Sequence, residues 1–78
     1  MSLTFEEDIA RLTDLVTVDD AENLLAWLAT HPNGRVDLAG MRHLHAANLQ
    51  VLMAARPVVA NWPDDPDLHA WLVAALHD

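Results

Sequence analysis

The chain has no cysteine, no lysine, a single serine and only two glycines. Each absence closes off a class of chemistry. Without cysteine there can be no disulfide, zinc–thiolate centre or thiol nucleophile, which is compatible with a reducing compartment. Gly34 and Gly40 form no glycine-rich phosphate loop. The one serine, Ser2, lies at the terminus, outside any recognisable nucleophile setting. Cations are scarce: four arginines stand against twelve carboxylates, for a formal net charge of −8. Phosphate binding needs a cationic face, so nucleic acid and anionic membrane surfaces are poor partners for this chain. No segment approaches the ~20 apolar residues of a membrane span. The start, Met1 to Glu7, is acidic and lacks the basic region of a signal peptide. These features predict an acidic, cytoplasmic protein that inserts into no membrane and is not an enzyme.

What is abundant is apolar surface. Hydrophobic residues make up 53% of 78, enough for one small core and too many for disorder. A chain this short buries a low fraction of its surface, so the excess predicts a protein partner or a homodimer. The expected organisation is a single domain over residues 1–78.

The pattern alternates between strand and helix signals. Leu3 to Glu7 reads as a strand with Leu3 and Phe5 inward. Ile9 to Leu12 and Leu15 to Val18 suit a second, bent strand interrupted at Asp14. A helix follows, capped by Thr17 or Asp19, with Asp19, Asp20 and Glu22 at the positive end of its dipole. Its apolar face is predicted as Ala21, Leu24, Leu25 and Leu28, with Trp27 beside it. His31-Pro32-Asn33-Gly34 ends the helix. Arg35 to Leu38 is the predicted central strand, followed by a turn at Gly40 and Met41 and a loop, Arg42-His43-Leu44-His45.

Ala46 to Ala55 is apolar nearly all round, which predicts a helix buried on more than one side. Pro57 ends it, and Val58 to Trp62 reads as another buried strand. Asp65-Pro66-Asp67 starts a last helix, with Leu68, Trp71, Leu72, Ala75 and Leu76 on one face and His77 at its negative end. Strands alternating with helices predict parallel pairing through right-handed crossovers. The expected class is α/β, a small mixed sheet of about four strands against about three helices.

Val36-Asp37-Leu38-Ala39-Gly40, followed by His43 to Leu52, resembles the signature region of STAS domains, the anti-sigma factor antagonist family. That family reads V-D-L-S-x-V, then D-S/T-A/S-G-L leading into a helix. Leu15 to Leu24 is similar to its first-helix start, L-T-x-x-x-A-x-x-L. The resemblance covers about Leu3 to Trp62. It implies a non-catalytic regulatory module that binds another protein: an anti-sigma kinase, a sensory regulator or a transport-complex subunit. In regulatory members a Ser or Thr at the start of the signature helix is phosphorylated. Here His45 stands at the family's Asp, Ala46 and Ala47 at its hydroxyl positions, and Asn48 at its Gly. Neither alanine accepts a phosphate, so the docking surface is implied without the switch. The family continues with a further strand and helix, and their lack here would leave a sheet edge bare for a partner or second copy.

The residues expected on the contact surface are Arg42, His43, His45, Ala46, Ala47, Asn48 and Gln50. His45 at a helix N-terminus can offer a ring nitrogen to the free N–H groups there. The alternative is a metal- or ligand-binding regulatory protein using His43 and His45, but no spacing supplies a third ligand, so no metal or other cofactor is expected. The carboxylate clusters Asp19-Asp20-Glu22 and Asp64-Asp65-Asp67 each precede a helix and read as capping groups. Trp27, Trp62 and Trp71 read as core or near-core.

Overall fold

A computed structural model describes residues 3–76. The placement of His77 lies outside the described residues. Strands β1 (Leu3–Glu6) and β2 (Ile9–Leu12) form an antiparallel hairpin in which Leu3 faces Leu12 and Glu6 faces Ile9. The tight turn between them puts Glu7 at φ 48°, the positive φ that short hairpin loops favour. Strand β4 (Arg35–Asp37) pairs parallel to β2, and β6 (Val58–Asn61) parallel to β4, giving the order β1-β2-β4-β6. Parallel neighbours cannot be joined by a tight turn. The returns run through helices α1 (Val18–Thr30) and α2 (Ala46–Ala55), and α3 (Pro66–Leu76) follows β6. This is the expected α/β architecture of a four-stranded mixed sheet and three helices, with Arg35–Asp37 flanked by a strand on each side.

A second, two-stranded parallel sheet was not expected. It joins β3 (Asp14–Val16) to β5 (Met41–Leu44), with Leu15 opposite His43 and Val16 opposite Leu44. Residues 42–44, read from sequence as loop, are therefore strand. Their burial order is inward, outward, outward, half-inward from Met41 to Leu44, so no alternation was there to be seen. The irregularity between Asp14 and Leu15 accommodates it. The bent strand expected over Leu15–Val18 also resolves differently. Asp14, at φ 53°, turns the chain after β2, Thr17 becomes the cap of α1, and Val18 opens the helix.

The main sheet has two unlike faces. Ala10, Leu12, Val36 and Leu38 are fully buried, as are Leu24, Leu52 and Leu72 of the three helices, and these belong to one apolar cluster. Burying each of those leucines contributes about 1.5–3 kcal/mol. The alternate residues Ile9, Arg11, Arg35 and Asp37 are half-buried or exposed. On that side Arg11 pairs with Glu6 and, at 3.5 Å, with Asp37. The hydrogen bond that Arg11 donates to Glu6, reinforced by the carboxylate's charge, raises the Arg11 guanidinium above its ordinary value.

Burial corrects expectations on all three helices and on two strands. On α1 the buried face is Ala21, Leu24 and Trp27, while Leu25 is exposed. Trp27 turns inward because Gly34 lets its ring come close: a Cβ on Gly34 would sit 2.7 Å from the indole. The ring stacks between Phe5 (centroids 5.3 Å apart) and His31 (4.3 Å), so Phe5 covers Trp27 rather than entering the core. On α2 only Asn48 and Leu52 are fully buried, and Met53, Ala54 and Ala55 are exposed. Three helices on one sheet face leave nothing to cover its far side. Strand β6 is an outer strand, not a buried one, with Val58 65% exposed. Trp71 is likewise exposed, whereas Leu72 beside it is buried.

Candidate functional site

The parallel β3–β5 pair brings the N-termini of α1 and α2 side by side. Strand β3 leads into Thr17 and β5 into His45, so the β3–β5 pairing sets the two caps in register. The His45 N–H donates to the Val16 carbonyl (3.2 Å), and the Asn48 side-chain amide donates to the Thr17 carbonyl (2.6 Å). These two bonds stitch the start of α2 to the start of α1.

Each helix start is satisfied in its own way. At α1 the Thr17 N–H and hydroxyl both donate to the Asp20 carboxylate (3.0 and 3.3 Å), and Asp19 and Asp20 lie in the first turn. At α2 the Ala47 N–H donates to His45 Nδ1 (3.0 Å), as the sequence suggested. That bond places the ring proton of a neutral His45 on Nε2. No carboxylate lies in the first turn of α2. The acidic cluster before α3 also caps: Asp65 accepts from the N–H groups of Asp67 (2.9 Å) and Leu68 (3.1 Å).

The expected contact residues divide between a surface and its support. Arg42, His43, His45, Ala46 and Gln50 are exposed, and Ala47 is half-buried. Asn48 is wholly buried, so it stands behind the surface and cannot be part of it. Its amide oxygen has no hydrogen-bond partner among the described residues, although its nitrogen is well used. Arg42 lies 3.9 Å from Asp14, with both side chains largely in water, where such a pair contributes little.

Leu15 and Val18 were missed by sequence reasoning, which assigned both to a bent strand. Leu15 is 56% exposed beside His43, and Val18 is 52% exposed at the first turn of α1. The available signal was the cap at Thr17, which takes Val18 out of the strand. His43 and His45 share this rim, and among the described residues no three metal-ligating side chains come together.

The chain matches no known protein family, no curated protein and no solved structure. No described helix is long and apolar enough to cross a membrane.

Proposed function

We propose that this protein is a non-catalytic binding module whose contact surface is the paired helix start formed by Leu15, Val18, Arg42, His43, His45, Ala46, Ala47 and Gln50. One observation carries the reading. Exposed apolar side chains at Leu15 and Val18 adjoin the N-terminus of α2, whose positive dipole end has no carboxylate in its first turn. An apolar patch beside a positive helix end with no acid in its first turn suits a partner that presents an apolar side chain next to a negatively charged group. Asn48 fixes the geometry from behind, and the His45 ring caps the helix from the exposed side.

The likeness of Val36–Leu52 to the STAS signature supports the same surface, and suggests an anti-sigma kinase, a sensory regulator or a transport-complex subunit as the partner. Ala46 and Ala47 make the contact constitutive with respect to Ser/Thr phosphorylation there. The charge of −8 favours a partner with a basic rim, through faster encounter more than through affinity.

Capture from the native host with wild-type protein, Ala46→Glu and Leu15→Arg in parallel tests the assignment. The expected result is a partner recovered by the wild type and lost by both variants, neither of which melts at a lower temperature. Recovery of the same partner by both variants would place the contact elsewhere.

A further inference from the structure

The two outer strands of the main sheet are unlike. Strand β1 ends at Glu6 and Glu7-Asp8 follow in the turn, so from Leu3 to Asp8 the only charges are acidic and two such edges have no opposite charges to pair. From Pro57 to Pro63, the stretch containing β6, there is no charged residue. Val58 is the most exposed large apolar side chain described. On the helix side of this edge lies a cleft of about 280 Å³, lined in part by Met53, Val59, Trp62, Ala75 and Leu76. The charges flanking the stretch are of opposite sign: Arg56 before it, Asp64 and Asp65 after it, all exposed.

We propose that two copies of this chain associate through β6, strand against strand and antiparallel about a two-fold axis. Antiparallel pairing sets the start of each strand beside the end of the other. Arg56 of each copy then faces Asp64 of the second copy, and symmetry makes the contact twice. The uncharged edges supply backbone pairing in the middle. Two chains of charge −8 repel at long range, so any self-contact has to be local. An uncharged strand with opposite charges at its ends provides one. The dimer uses none of Leu15, Val18, His43 or Ala46, so the surface at the start of α2 stays open in it.

Sedimentation velocity of the full chain across micromolar to submillimolar concentrations is the direct test. The wild type is expected to shift from monomer to dimer, with Arg56→Glu and Asp64→Arg each weakening the dimer about tenfold or more. An equimolar mixture of the two variants restores opposite charges at both contacts and should recover a heterodimer near wild-type affinity. Melting curves keep folding separate from association, and Val58→Lys, on an exposed position, gives a second route to the monomer. A wild type that stays monomeric throughout, or a mixture that behaves like its separate components, would overturn the proposal.

Discussion

Helices α1 and α2 begin next to each other and are built on opposite plans. The start of α1 is closed by its own chain, with Thr17 bonded to Asp20 and two acids in the first turn. The start of α2 has an imidazole cap and no acid in its first turn, and is held from below by Asn48. Carboxylates at a helix N-terminus offset its partial positive charge, so α1 presents little unbalanced potential and α2 presents more. The difference separates scaffold from surface. Helix α1 supplies the carbonyl to which α2 is anchored, and α2 supplies the end left available to something else.

The largest expected effect comes from the anchor. Asn48→Asp places a carboxylate where an amide now donates to the Thr17 carbonyl, in a fully buried position. It should cost about 3 kcal/mol or more at neutral pH, read by chemical denaturation. Burial raises that carboxyl, so the cost should shrink as pH falls through its raised value, because the protonated acid donates to Thr17 again. A variant as stable as wild type at neutral pH would mean that the two helices are not joined there. Asn48→Ala removes the donor without adding charge and should cost about 1–3 kcal/mol.

Next in size is the cap of α1. Asp20→Ala should lose about 1 kcal/mol and leave partner capture intact, since it touches the scaffold only. A binding defect without a stability defect would reverse the roles assigned to the two helices. The smallest effect has the opposite sign. His45→Asp supplies the missing carboxylate and should stabilise by about 0.3–1 kcal/mol, seen as a rise in the denaturation midpoint, while abolishing partner capture. Gain of stability with retained binding would show that the uncompensated dipole is not what the partner reads.

The layering of the fold was legible because strand and helix periods alternate cleanly along the chain. Arg35–Asp37, Ala46–Ala55 and Asp65-Pro66 fell where pattern and capping chemistry placed them. The β3–β5 pair was not legible, because Arg42 and His43 both point outward and its stability comes from pairing across 27 or so residues of chain. Burial of α2 was overestimated for a related reason: composition says how apolar a helix is, while the number of layers decides how much of it can be covered. Within the candidate site, the His45 cap followed from position alone. The inward turn of Asn48 depended on the neighbouring carbonyl of Thr17, a contact that no local pattern encodes.

The three tryptophans occupy three depths. Trp27 is 9% exposed in its stack between Phe5 and His31, Trp62 is half-buried against His69, and Trp71 is 52% exposed. With no tyrosine in the chain, ultraviolet emission comes from these indoles almost alone. Its blue, shielded component therefore follows the hairpin and α1, and its red, quencher-accessible component follows α3. The unlabelled protein thus carries separate optical reporters for the integrity of its core and for events near its last helix.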